Sequence, residues 1–190
     1  MAMGSQMLDP KVLQGISQGK FVVVGRVGMD FFTHPGEKAE DASTMLTGMG
    51  GSSANIAAGL VKLGCDAALV TCISDDAVGH YCLSQLNHYG VNTDHVRTII
   101  GEERTSLAVY ESRLDDHRTV IYRNNAADFR MDIGDVEGID YSTFSALITA
   151  GTAFAAEPSR TAAFRAFELA KNEGLPIIFD ATHSVQQPGG

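Results

Sequence analysis

The sequence predicts an α/β fold in which a mostly parallel sheet is flanked by helices. Two runs, Phe21–Val24 and Ala67–Ile73, are continuously apolar, which is typical of strands buried on both faces. Each run is followed by an amphipathic stretch that ends at glycine, as many helices do. Strand, helix, strand and helix in succession indicate parallel strands joined by right-handed crossovers.

The composition favours one compact domain and argues against several classes of partner. A chain of 190 residues is long enough to bury a sizeable core. Its formal net charge of −9 argues against broad contact with nucleic acid or with an anionic membrane. No apolar run approaches the roughly 18 residues of a membrane span. Residues 1–7 are typical of a tag or an unordered start, not of a secretory signal.

Local signals place the first two helices. Residues 50–64 predict a helix for which Ser52 or Ser53 is the expected N-cap. The apolar stripe of this helix would consist of Ile56, Leu60, Val61 and Leu63. Asp76–Tyr89 predicts the next helix, with Gly90 as its end. Its buried face would consist of Val78, Cys82 and Leu86.

The pattern changes after residue 100. The short β-prone runs Thr105–Glu111 and Arg118–Arg123, separated by a polar turn, predict a partly exposed antiparallel hairpin. A buried strand at Ala146–Ala150, a helix at Ser159–Asn172 and a strand at Leu175–Asp180 then return to the core pattern. The inward face of this last helix would consist of Ala163, Phe164, Phe167 and Ala170.

The cysteines and histidines indicate neither a disulfide framework nor a metal centre. The three cysteines, Cys65, Cys72 and Cys82, are odd in number, form no C-x-x-C pair and fall within apolar patterns. They are expected to be reduced, buried thiols of a cytoplasmic protein. The six histidines show no spacing typical of metal ligands, so the predicted set of metal-binding residues is empty.

Two segments could bind a polar ligand. Gly50 and Gly51 precede a predicted helix, where the backbone can approach a ligand closely, and the Asn55 amide suits a vicinal diol. The alternative is a tight turn before an ordinary capped helix. Asp30 follows the first strand, at the sheet edge where α/β proteins bind ligands, and its carboxylate can accept two hydroxyl hydrogen bonds. The alternative is that Asp30 only caps a loop.

Together these segments resemble the ribokinase-like (PfkB) carbohydrate kinases. The resemblance rests on G-x-x-x-x-D at Gly25–Asp30 and on GGSSAN at Gly50–Asn55. It also rests on residues 71–96, which are similar to a helix motif of the family. It spans about Lys20–Asp180 and implies a three-layer ribokinase-like core with a small β lid. IYRNNAAD at Ile121–Asp128 is most similar to the branch of the family that phosphorylates 5-dehydro-2-deoxygluconate in inositol breakdown.

The resemblance also implies roles for particular residues. Asp30, Gly50, Gly51 and Asn55 would hold sugar hydroxyls, and segments 31–47 and 103–125 would form the lid and a homodimer contact. Arg123 would face an anion, either the substrate acid or the transferred phosphoryl, unless it is a solvated charge at a strand end. Glu157 would lie near ATP and Mg²⁺, unless it is a surface charge at a helix start.

Two departures from the family pattern limit the expected activity. The D-T-x-G-A-G-D motif, which supplies the anion hole and the base aspartate, does not occur, so residues 8–190 are expected to be an amino-terminal portion without catalysis of its own. The final FDATHSVQQPGG resembles a segment of a TIM-barrel aldol-type synthase. The leading hypothesis is therefore the sugar-binding part of an ATP-dependent kinase. The alternatives are a non-catalytic sugar-binding or dimerisation module and, remotely, an aldol-type synthase.

Overall fold

The computed structural model describes residues 19–113, 115 and 117–181, so the expected tag at residues 1–7 and most of the unusual C-terminal segment lie outside the described residues. The strands are β1 (Lys20–Val24), β2 (Gly28–Phe32), β3 (Leu46–Gly50), β4 (Asp66–Ser74), β5 (Val96–Ile99), β6 (Ser106–Tyr110), β7 (Thr119–Tyr122), β8 (Ala146–Ala150) and β9 (Ile177–Asp180). The helices are α1 (Ser52–Lys62), α2 (Ala77–His88), α3 (Ile133–Glu137) and α4 (Ser159–Asn172). None of these described helices is long and apolar enough to cross a membrane.

The central sheet has the order β5-β4-β1-β8-β9, and every neighbouring pair is parallel. Alternate residues of β1 point to opposite faces, so Phe21 and Val23 join one apolar cluster while Val22 and Val24 join another. Helices α1 and α2 cover the first face, and α3 and α4 cover the second. The predicted α/β fold, with helices on both faces of a mostly parallel sheet, is confirmed.

Helices α1 and α4 bury mainly alanines, of which the sequence pattern predicted Ala163 and Ala170 correctly together with larger residues. The buried alanines of α1 are Ala54, Ala57 and Ala58, and those of α4 are Ala162, Ala163, Ala166 and Ala170. Small side chains let a helix approach the strands closely, which moves the bulky residues to the rim of the contact. Leu63 is consequently 83% exposed and Phe164 is 54% exposed, so the predicted inward placement of both is wrong.

The serines at two helix starts bind the sheet or a turn instead of capping the helix. The N-cap of α1 is Gly51, with no side-chain cap, and the Ser53 hydroxyl donates to the Val24 carbonyl oxygen at 3.2 Å. The Ser159 hydroxyl donates to the Ala153 carbonyl oxygen at 3.0 Å. The predicted cap of α1 by Ser52 or Ser53 is therefore wrong, and the Ser53 side chain is instead buried against the backbone of β1. Asp76 does cap α2, by accepting from two backbone N–H groups.

A second, smaller sheet has the order β3-β2-β6-β7 and shares no strand with the central sheet. The predicted hairpin is its β6–β7 pair, which is antiparallel, and β2 joins β6 in parallel. β2 and β3 are not visible as strands in the sequence, because Gly and Asp interrupt their apolar pattern. The Thr105 hydroxyl lies 2.8 Å from both the backbone N and the hydroxyl of Ser74, which fixes β6 to the end of β4.

Candidate functional site

Two glycine turns bring the end of β1, the start of α1 and the small sheet together. Gly51 has a φ of 98°, and a Cβ at this position would collide with the Arg26 carbonyl oxygen. A Cβ on Gly50 would collide with the Asp30 carboxylate. Both positions therefore require glycine for close packing of this chain on itself. This packing places the Asp30 carboxylate directly beside the start of α1. The predicted approach of the glycine backbone to a ligand stays a prediction.

Asp30 lies in the middle of β2, not in the loop that the sequence suggested. The residue is 9% exposed, and its Oδ1 atom is buried without a hydrogen-bond partner among the described residues. A capping aspartate would accept from backbone N–H groups, which Asp30 does not do here, so the loop-cap alternative is wrong. The carboxylate is free to accept hydrogen bonds from a ligand.

Asn55 stands on the first turn of α1, close to the same glycine turn. Its backbone N–H donates to the Gly51 carbonyl oxygen at 2.9 Å, while its side chain is exposed. The side-chain amide forms no hydrogen bond within the described part of the chain. One amide thus offers a donor and an acceptor to solvent or to a ligand.

The Arg123 side chain is only 12% exposed and forms an ion pair, so the alternative of a solvated strand-end charge is wrong. Its Nε donates to Asp128 Oδ2 at 3.2 Å, and its Nη2 donates to the same oxygen and to the Thr152 carbonyl oxygen at 2.8 Å. The guanidinium also lies 4.2 Å from the Phe129 ring centroid. The Thr152 hydroxyl is 3.2 Å from that of Ser52 at the start of α1, which places Arg123 at the border of the site. Its predicted contact with an anion stays a prediction.

Arg26 is the charged residue of this region that the sequence analysis missed. Its side chain is only 6% exposed, and the Nη2 atom would lie 3.5 Å from a Cβ built on Gly28. Because Gly28 and Asp30 are two positions apart on β2, they share one face of the small sheet, and Arg26 lies over that face. A charged residue between the glycines of GRVG was the signal in the sequence.

Charge and burial oppose each other in this cluster. Burial raises the pKa of Asp30, and the nearby positive charge of Arg26 acts in the opposite direction. Burial also lowers the pKa of Arg26, and the positive charge of Arg123 lowers it further. The charged groups Arg26, Arg123, Asp30 and Asp128 therefore lie together in one poorly solvated region.

Glu157 has a local partner. Its carboxylate accepts from the backbone N–H of Thr161 at 3.1 Å and from the Thr161 hydroxyl at 2.7 Å, on the first turn of α4. The hydroxyl hydrogen bond holds the pKa of Glu157 below its usual value. This geometry fits the alternative of a charge at a helix start, and a contact with nucleotide or metal stays a prediction. Over the described residues, no three His, Cys, Asp or Glu side chains are grouped as metal ligands.

Comparison with known proteins identifies sequences of the same kind. The profile of the pfkB family carbohydrate kinases matches residues 18–188. The chain is 32% identical over 163 residues to the 5-dehydro-2-deoxygluconokinase of Photobacterium profundum, which covers 85% of this chain and 49% of that protein. The chain thus spans about half the length of the curated relatives that it matches.

Solved structures show the same fold. The chain matches a PfkB protein from Polaromonas sp. with a TM-score of 0.79 and 21% identity, over 87% of this chain and 56% of that one. It matches a sugar kinase from Pyrococcus horikoshii, in complex with ATP, with a TM-score of 0.77 and 20% identity, over 86% and 53% of the two chains. At these identities the likeness establishes the architecture alone.

Proposed function

The chain belongs to the pfkB family of carbohydrate kinases, and on that premise we propose that it is the sugar-binding part of an ATP-dependent sugar or sugar-acid kinase. The acceptor would be a primary hydroxyl of a compound resembling 5-dehydro-2-deoxygluconate, because similar relatives are named 5-dehydro-2-deoxygluconokinases. The observation that carries the proposal is the Asp30 carboxylate, which is buried against Gly50 without a hydrogen-bond partner among the described residues.

In this proposal, the chain's own residues bind and orient the substrate. Asp30 accepts hydrogen bonds from two hydroxyls, and a charged acceptor in a poorly solvated site binds them more strongly than a neutral one. Asn55 donates to one hydroxyl and accepts from another. Gly50 and Gly51 let the Asp30 carboxylate and the Arg26 backbone pack closely against the start of α1, which positions the groups that bind the sugar. The proton of the attacked hydroxyl would pass to the aspartate of the D-T-x-G-A-G-D motif, which these 190 residues do not contain.

ATP and Mg²⁺ enter the proposal through the family and through the ATP complex of the Pyrococcus sugar kinase. The described residues do not fit either group: Glu157 is held by Thr161, and no cluster of metal ligands is present in this part of the chain. No step on these residues therefore involves the nucleotide or the metal. We propose that the 190-residue chain has no kinase activity of its own.

The test is calorimetric titration of the 190-residue chain with 5-dehydro-2-deoxygluconate. We expect binding that Gly50→Ala weakens at least tenfold, because the new Cβ displaces the Asp30 carboxylate. Gly59→Ala is the matched control, since a Cβ there meets nothing within 4 Å. Absence of binding by the unaltered chain would contradict the proposed function. Equal binding by the Gly50 variant would remove Asp30 and Gly50 from the site.

A second proposal concerns assembly: the small sheet would act as a lid over the sugar and as the contact of a homodimer. Val109 and its cross-strand partner Val120 lie on one face of the sheet, where Val120 is exposed, and β7 is an edge strand. Edge strands with exposed apolar residues favour pairing with another chain. This observation also favours the alternative of a non-catalytic sugar-binding or dimerisation module.

Sedimentation of the unaltered chain and of Val109→Lys tests the homodimer. We expect a dimer that the substitution weakens, whereas Thr119→Lys, on the opposite face of the sheet, leaves it intact. A monomer in both cases would exclude this interface. A phosphoryl-transfer assay on the same chain then separates the two functions, because a non-catalytic module binds sugar without forming sugar phosphate.

Two further expectations belong with the proposal. We propose a cytoplasmic setting because Cys65, Cys72 and Cys82 are all free thiols. The aldol-type synthase is not proposed, because the kinase-family match extends to residue 188 and so includes most of the FDATHSVQQPGG segment on which that alternative rests. Residues 182–190 of this segment lie outside the described residues.

A further inference from the structure

The starting point is a buried positive charge without a hydrogen bond. The Nε atom of Arg26 is sealed from solvent, and no hydrogen bond joins any part of its guanidinium group to the described residues. A buried guanidinium normally forms several hydrogen bonds, because removing its charge from water without compensation is costly. Its location over Gly28, on the Asp30 face of the small sheet, is therefore typical of a group that awaits a ligand.

Neighbouring carboxylates do not supply the missing partner. Asp128 is paired with Arg123, which uses Nε and Nη2 for Asp128 and Thr152. Asp30 is close enough for its charge to act on Arg26, yet its Oδ1 atom also lacks a hydrogen bond in the described structure. Two neighbouring opposite charges whose hydrogen-bonding capacity is unused could both be satisfied by one molecule that carries an acceptor for Arg26 and a donor for Asp30.

We propose that Arg26 is the specificity residue that binds the carboxylate of a sugar-acid substrate, while Asp30 binds hydroxyls of the same molecule. A guanidinium matches a carboxylate geometrically and can bind it through two parallel hydrogen bonds. A ligand with an acid group and hydroxyls then complements one positive and one negative group of the site. The inference rests on the proposed function, since it assumes that the site binds a sugar derivative.

The sequence carries a consistent signal. Arg26 lies four residues before Asp30, between the turn at Gly25 and the start of β2. Its carbonyl oxygen accepts from the backbone N–H of Ala54 at 3.3 Å, so its backbone is bound to the first turn of α1. The Arg26 backbone is thereby held against Gly51 and the start of α1. A carboxylate at Arg26 would lie at the β1 end of the site.

The test compares two ligands that differ only at one carbon. 5-Dehydro-D-gluconate carries a carboxylate where L-sorbose carries a hydroxymethyl group. Calorimetry of the unaltered 190-residue chain is expected to show at least tenfold tighter binding of the acid. Arg26→Gln should weaken binding of the acid at least tenfold and change the affinity for L-sorbose by less than threefold. Arg26→Lys should retain part of the preference, and Arg160→Gln, which removes an exposed arginine, should retain all of it.

Thermal unfolding separates a ligand-binding role from a structural one. If Arg26 only stabilises the fold around the site, Arg26→Gln lowers the melting temperature and weakens binding of both ligands equally. That result would overturn the inference. If it awaits a carboxylate, removing the uncompensated charge leaves the melting temperature unchanged or higher. Binding of L-sorbose as tight as that of the acid overturns the role of Arg26 alone. Absence of binding of both ligands overturns the proposed function as well.

Discussion

The central sheet and the small sheet differ in the buried charged groups that lie at them: the buried atom without a hydrogen bond in β4 is the neutral Thr71 hydroxyl. β1 and β4 are packed on both faces by helices, and the buried Thr149 hydroxyl donates to the Val24 carbonyl oxygen at 2.8 Å. Among the described residues, the charged side chains with a buried atom lacking a hydrogen bond are Arg26, Asp30 and Asp128, all at or beside the small sheet. The central sheet thus carries the larger apolar core, and the buried charged atoms without a hydrogen bond lie at or beside the small sheet, where we propose the ligand site.

The largest expected effect tests whether the central sheet contributes more than the small sheet to the free energy of unfolding. Leu69, in β4, is fully buried, and Leu69→Ala is expected to lower the free energy of unfolding by about 3–4 kcal/mol through lost burial and a cavity. Leu107→Ala, in the half-buried strand β6, should cost about 1 kcal/mol. Urea denaturation measures both. Equal losses would show that the two sheets contribute alike to the core.

The next largest effect tests whether the Arg123–Asp128 ion pair beside the small sheet stabilises the folded protein. Asp128→Ala leaves the Arg123 guanidinium buried without its charge partner, and we expect the free energy of unfolding to fall by about 3 kcal/mol. Glu137→Ala removes an exposed partner of Arg165 and should cost no more than about 0.5 kcal/mol. A small loss in the Asp128 variant, measured by urea denaturation, would mean that the pair contributes no net stability.

The same comparison explains what the sequence could predict. The strands of the central sheet are buried on both faces, so Phe21–Val24 and Ala146–Ala150 are visible as apolar runs, and both were predicted within one residue. β2 and β3 were missed because Gly28, Asp30 and Gly48 break the apolar strand pattern. The two glycines allow close packing within the small sheet, and Asp30 is a proposed ligand-binding residue.

Within the site, the sequence predicted residues that stand in recognisable motifs and missed the one defined by its surroundings. Asp30, Gly50 and Gly51 come together as expected. The sequence marks Arg26 only as a charged residue within GRVG, whereas its burial and its lack of a hydrogen-bond partner are properties of the folded structure. The contacts of Arg123 with Asp128 and Thr152 depend on tertiary packing in the same way.

The smallest expected effect concerns how much the buried Asp30 carboxylate, whose Oδ1 atom lacks a hydrogen bond, lowers the free energy of unfolding. Burial raises its pKa above the ordinary value of 3.8, so the folded protein holds this proton more tightly than the unfolded chain does. Stability linked to Asp30 is therefore lost as the pH rises from 3.8 through the folded-state pKa. Asp30→Asn removes this titration, and we expect it to raise the free energy of unfolding at pH 7 by about 1 kcal/mol.

The gain should disappear toward pH 3.8, where the aspartate itself becomes neutral, and urea denaturation across this range measures it. Asp41→Asn, at an exposed position, changes the charge of the chain equally and should have no comparable effect. Because the amide is a weaker acceptor for hydroxyls than a carboxylate, the same Asp30 variant should bind sugar less tightly. Stabilisation with weakened binding is the behaviour of a ligand-binding group that the fold alone does not need. Destabilisation at pH 7 would show instead that Asp30 supports the small sheet.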